Sequence, residues 1–112
     1  MNLKKENNNN NQLSIYKLIN EIEYQSSSIV SKQILKKENG NITLFAFGEN
    51  EELTKHTSPY EAFVQIIEGE MLIEVGEGKF NLQSGDVILM PADIPHGLKA
   101  LTNVKMLLTM IK

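Results

Sequence analysis

The sequence predicts an all-β fold, a small antiparallel barrel or sandwich, on three observations. From Ile29 onward apolar residues recur with period two. Glycine, proline and Asn-Gly punctuation breaks these runs at the roughly 8–12-residue spacing of short strands. No strand pattern alternates with a long helical one, which argues against a doubly wound parallel sheet.

Taken in order, the chain divides into three parts. Residues 1–12 are Lys- and Asn-rich, with an unbroken asparagine run from Asn7 to Asn11. Such a tract buries too little apolar surface to offset its ordering entropy, so a disordered tail is expected. Residues 13–28 form a helical segment in this reading. Ile15, Leu18, Ile19 and Ile22 fall at i, i+3, i+4 and i+7, Ser14 is placed to cap the helix, and Ser26 to Ser28 end it. Residues 29–112 are the β domain. Strands are expected over 29–35, 42–47, 62–68, 71–75, 79–82, 87–90, 96–100 and 104–111. The turns between them are Asn39-Gly40, Gly69, Gly76-Glu77-Gly78 and Ser84-Gly85-Asp86, with Pro91 as a stop. Residues 49–54 read as a polar connection. Two expected strands, 62–68 and 106–111, are apolar on both faces and need a second covering layer. The helical segment supplies part of that cover, and a second copy of the chain supplies the rest, so a homodimer is expected.

The charge balance narrows the function. There are 11 basic residues, all lysine, against 14 acidic ones, for a net charge of −3 over 112 residues. A nucleic-acid binder needs a strong positive field, which this chain lacks. Without arginine there is no rigid bidentate clamp for phosphate or carboxylate. Without cysteine there is no disulfide, thiolate metal site or cysteine nucleophile. No apolar run approaches the roughly 18 residues of a membrane span, and the polar start has no secretory signal pattern. A cytoplasmic, single-domain protein with neither nucleic acid nor membrane as partner is expected. Nucleophile elbows, phosphate loops and dinucleotide-binding glycine motifs are absent from the sequence.

The chain has two histidines, His56 and His96, each in a turn-rich segment beside a strand. Read alone, they are either two unrelated loop residues or the polar groups of one site. In the second case a pocket is expected with His56, His96, Tyr60 and Glu61 among Phe45, Phe47 and Met90. Mostly apolar walls with a few convergent polar groups suit a small molecule. An imidazole also titrates near neutral pH, which suits one histidine to general-base work. Met71, Met90, Met106 and Met110 stand at strand positions, where core packing is the simplest role.

The stretch GDVILMPADIPH then resembles the second signature of the cupin family, a small double-stranded β-helix or jelly-roll barrel. Gly85, Pro91 and His96 stand at its spacings. Asp93 occupies the slot of its second glycine, a residue that also tolerates tight turns, and Ala100 stands where an asparagine often follows. Counting back from Gly69 without a gap, His56 takes the first histidine slot of the other signature. Ser58 takes the second histidine slot and Ala62 the glutamate slot. A shifted register uses Thr54, His56 and Glu61 instead and leaves Glu61 to Gly69 one residue too long. The ungapped register is preferred, because an inserted residue would flip every later side chain across the strand. The resemblance spans Ile42 to Ile111 and implies a cupin-like barrel.

Metal-binding cupins hold Fe, Mn, Ni or Zn through three histidines and a carboxylate. By resemblance a divalent transition metal here would use His56, His96 and Glu61, a two-His-one-carboxylate set. Three functions follow as expectations. The first is a module that binds or senses a small ligand, with or without a weakly held metal. The second is a metal-dependent dioxygenase, isomerase or decarboxylase acting on a small polar molecule. The third is an interaction protein with a vestigial pocket.

Overall fold

The computed structural model describes residues 13–112, so the expected Asn-rich tail lies outside the described residues. Among these, the strands are β1 (Ile29–Lys37), β2 (Gly40–Phe47), β3 (Glu52–His56), β4 (Glu61–Glu68), β5 (Glu70–Val75), β6 (Gly78–Gln83), β7 (Val87–Met90), β8 (His96–Ala100) and β9 (Val104–Ile111). They build two antiparallel sheets, in the orders β1-β2-β9-β4-β7 and β3-β8-β5-β6. Period-two alternation explains which side each residue takes. Ala62, Val64 and Ile66 of β4 point between the sheets and are buried, while Phe63 points out and is 42% exposed. Facing them from the other sheet are the buried Met71, Ile73 and Leu98, which join Phe47, Val104 and Met106 in one core. The two antiparallel sheets are the all-β architecture that the patterning predicted, and their arrangement is the cupin-like jelly roll that the resemblance implied.

Two elements differ from expectation. The N-terminal helix is reduced to a single 3-10 turn, Leu18–Asn20, with no side-chain cap and an extended residue, Lys17, before it. An isolated helix this short is marginal in water and survives only if its whole apolar stripe is buried. Here the stripe is not buried: Ile15 is 87% exposed and Ile19 faces solvent. The segment instead lies as a strap. Leu18, Ile22 and Tyr24 pack on Leu44, Ala46 and Leu107, on the outer face of the five-stranded sheet. Polar bonds fasten the strap. The Tyr24 hydroxyl donates to Glu68 Oε2 at 2.5 Å, and the buried Lys105 donates from Nζ to the Ile19 carbonyl at 2.6 Å. Burial, together with the hydrogen bond to the Glu68 carboxylate, pushes the Tyr24 phenol well above its ordinary range.

The second difference is β3, which the sequence reading took as a polar connection over 49–54. Its burial shows why: of Glu52, Leu53, Thr54, Lys55 and His56, only Leu53 is even half-buried. β3 is the edge of its sheet, next to β8, and an edge strand need carry no apolar alternation. This strand also carries His56.

Candidate functional site

His96 opens β8, an inner strand of the four-stranded sheet, and pairs with His56 on β3 and with Val75 on β5. The β3–β8 ladder runs Glu52 opposite Lys99 and Leu53 opposite Leu98, then slips so that His56 faces His96. Three steps on β3 match two on β8, which makes this a β-bulge with one extra residue. The slip decides the chemistry. Leu53 points inward, so strict alternation would send His56 outward. The extra residue returns His56 to the side of Leu98 and His96, while Lys55 turns out to meet Glu74 at 3.6 Å and the Gly76 carbonyl at 2.6 Å. Gly97 accommodates the bulge, because a Cβ there would stand 3.1 Å from the Leu53 carbonyl oxygen and 3.2 Å from the Lys55 nitrogen.

The two imidazole rings stand 4.6 Å apart, tilted by 58°. His56 Nδ1 lies 2.9 Å from the Thr54 carbonyl, and His96 Nδ1 lies 3.2 Å from the Ile94 carbonyl. A carbonyl only accepts, so in both rings Nδ1 donates, and in the neutral imidazole Nε2 is then the acceptor. The pair thus offers two acceptor nitrogens side by side. A further bond ties the loops that carry them: Asp93 N–H donates to the Ser58 carbonyl at 2.8 Å. Asp93 has φ 66°, so the slot that the signature reserves for glycine does take the left-handed conformation.

Both histidines line a cavity of about 330 Å³ between the sheets. Ser58 is the third polar residue on its wall. Phe45 from β2, Ala62 and Val64 from β4, and Met90 from β7 form the apolar side, continued by Met106, Leu108 and Met110 of β9. Leu53 and Leu98 close it from the four-stranded sheet. Among the described residues, the structure therefore brings His56, His96, Phe45 and Met90 of the expected pocket to one cavity. It does not bring the other three. Phe47 is wholly buried in the core beside Phe45, at 6.0 Å between ring centroids, and does not reach the wall. Tyr60 is half-buried outside the lining, with the Lys112 ammonium 5.8 Å from its ring centroid. Glu61 is exposed at the start of β4, in opposite parity to the inward-facing Ala62. The remaining apolar wall residues were legible only as inward-parity strand positions, with nothing to separate wall from solid core.

The donor set does not fit the divalent metal that the resemblance implied. Among the described residues, no three histidine, aspartate or glutamate side chains group to hold an ion. The ungapped register accounts for this, since Ser58 and Ala62 stand where a second histidine and a carboxylate would be. Two imidazoles alone fall short of the three protein ligands a zinc-like centre uses.

Comparison with known proteins agrees with this fold. Residues 43–112 match the family model described as the cupin domain. A conserved protein of unknown function from Streptococcus pyogenes is similar in structure over 99% of this chain and 97% of its own, with TM-score 0.86 and 29% identity. A cupin 2 conserved barrel domain protein from Leptotrichia buccalis is 35% identical, with TM-score 0.83, over 87% of this chain and 47% of its own. A cupin superfamily protein from Desulfitobacterium hafniense, 23% identical with TM-score 0.82 over 99% of this chain and 98% of its own, shares the fold. The search of curated proteins finds no match.

Proposed function

Because this chain belongs to the cupin family, we propose that it binds or senses a small, largely apolar molecule in the barrel cavity, with His56 and His96 as its polar contacts. The observation that carries this reading is the cavity itself: about 330 Å³ of apolar wall with two imidazole acceptors at one place. That volume and polarity suit a compact ring system or short chain with one hydroxyl. No lysine, aspartate or glutamate lines it, so a charged ligand would be left without a counter-ion in an apolar site.

2-Naphthol, an apolar body with one hydroxyl donor, tests this, with naphthalene as its hydroxyl-free control. In fluorescence titrations the wild type is expected to bind 2-naphthol more tightly. The His56→Ala, His96→Ala variant is expected to lose about tenfold for 2-naphthol, the worth of a neutral hydrogen bond or two, and little for naphthalene. Equal losses for both compounds, or no binding of either by the wild type, would sink the reading.

A homodimer is proposed beside it, on a separate observation. The strap covers only part of the outer face of the five-stranded sheet. Leu89, Phe63, Thr109, Ile42 and Leu35 form a row across all five strands by register. Leu89 is 63% exposed, Leu35 46% and Phe63 42%. A second copy of this chain is the proposed cover, joined through a self-complementary patch. Sedimentation velocity is expected to give a dimer for the wild type and a folded monomer for Phe63→Lys, Leu89→Lys. An unchanged sedimentation coefficient in that variant would place the interface elsewhere.

A further inference from the structure

Resting on the pocket reading above, we propose that the cavity selects a neutral primary carboxamide on an apolar body. Its NH2 group is shared between the His56 and His96 imidazoles, and its carbonyl accepts from the Ser58 hydroxyl. The inference starts at Ser58, which the pocket reading leaves without a role. Ser58 lines the cavity together with both histidines. It stands two residues after His56, and its backbone carbonyl accepts from Asp93 N–H at 2.8 Å, in the loop that leads into His96. The three polar side chains of the wall therefore come from two loops that are bonded to each other. Tyr60 N–H donates to Ser58 Oγ at 3.2 Å. That bond occupies an Oγ lone pair and leaves the Ser58 O–H to donate.

These groups together ask for a particular ligand chemistry. The backbone carbonyls at both Nδ1 atoms leave Nε2 as the acceptor in each neutral ring. The wall thus presents two acceptors and one donor. A planar NH2 group directs its two hydrogens about 120° apart, and with bonds of about 2.9 Å its two acceptors stand about 5 Å apart. The imidazole ring centres stand 4.6 Å apart, a spacing that one amide nitrogen spans. The amide oxygen, one carbon away, then takes the Ser58 O–H. Other simple groups leave a polar atom unpaired, and an unmet hydrogen bond in an apolar site costs affinity. A ketone brings no donor for the imidazoles. A single hydroxyl donates to one imidazole and leaves the other. A carboxylate brings a charge to a wall that carries no lysine. The carboxamide meets all three groups and stays neutral.

The test uses the full chain with a chelator present and compares 2-naphthamide with 2-acetylnaphthalene. The ketone has nearly the same shape, with a methyl group in place of NH2. In fluorescence titrations the wild type is expected to bind the amide about tenfold or more tightly than the ketone, the worth of one or two neutral hydrogen bonds. This comparison requires no variant to fold. In the His56→Ala, His96→Ala variant the preference for the amide is expected to vanish. Ser58→Ala is expected to weaken both carbonyl compounds several-fold and to leave naphthalene unchanged. Equal wild-type affinities for amide and ketone, or full affinity for both in a folded Ser58→Ala variant, would overturn the proposal. If either appears while 2-naphthol still binds more tightly than naphthalene, only the amide inference fails and the pocket reading stands. If 2-naphthol binds no better than naphthalene, the pocket reading fails and the amide inference goes with it.

Discussion

Replacing Gly69 by alanine is expected to destabilise the fold by about 3 kcal/mol or more. Gly69 joins β4 to β5 with φ 93°, a conformation that costs an L-residue about 1–2 kcal/mol. Space adds a larger penalty. A Cβ at this position would collide with the Asn103 carbonyl oxygen and come within 2.9 Å of Thr102 Oγ1. Neither atom is free to move, because Thr102 Oγ1 accepts from Glu70 N–H at 3.0 Å and donates to the Asn103 carbonyl at 2.9 Å. Gly85 is the matched control. It has the same φ of 93°, yet nothing lies within 4 Å of the Cβ it would gain. Gly85→Ala should therefore cost only the conformational part, about 1 kcal/mol. Urea unfolding of both variants separates the two causes. Equal midpoints would show that the collision at Gly69 relaxes at no cost.

Phe47→Ala is expected to destabilise by about 3–5 kcal/mol, as for other large-to-small changes in packed cores. Phe47 is the largest wholly buried side chain described, in contact with a core that draws on both sheets. Its neighbour two residues back, Phe45, is half-buried and lines the cavity. Phe45→Ala should cost clearly less, since space already adjoins that ring, and should change ligand affinity in the folded protein. Thermal unfolding with and without 2-naphthol distinguishes them: Phe47→Ala lowers the midpoint and keeps the ligand-induced rise, whereas Phe45→Ala alters that rise. A Phe47→Ala loss no greater than that of Phe45→Ala would contradict the placement of these two rings.

The two phenylalanines mark how far the pocket was readable in advance. Both have inward parity on β2, so alternation treats them alike. Which one meets open space depends on side chains from β3, β8 and β9, and no local pattern holds that information. Tyr60 and Glu61 lie outside the cavity lining for a related reason. Nearness to His56 in sequence does not set the direction of a side chain, and at Glu61 the strand parity set by Ala62 turns the carboxyl to solvent.

The strap teaches the same lesson at the level of an element. Its apolar spacing satisfies a helix template, and the sheet supplies a competing surface. Leu44 and Ala46, on the outward face of β2, are wholly buried in a cluster to which the strap contributes Leu18, Ile22 and Tyr24. An extended path covers that flat face, and a narrow helical stripe would not.

What the sequence by itself determined is the class of fold and most of its strands. Period-two patterns, left-handed turn residues and the spacing of Gly85, Pro91 and His96 are local properties, written residue by residue along the chain. Tertiary structure alone decided that His56 and His96 meet. His56 sits on an edge strand without apolar alternation, forty positions from its partner. One extra residue in the β3–β8 ladder, accommodated by Gly97, turns its ring to the cavity side. A bulge is a property of two strands taken together, because the count of residues on one side has meaning only against the other.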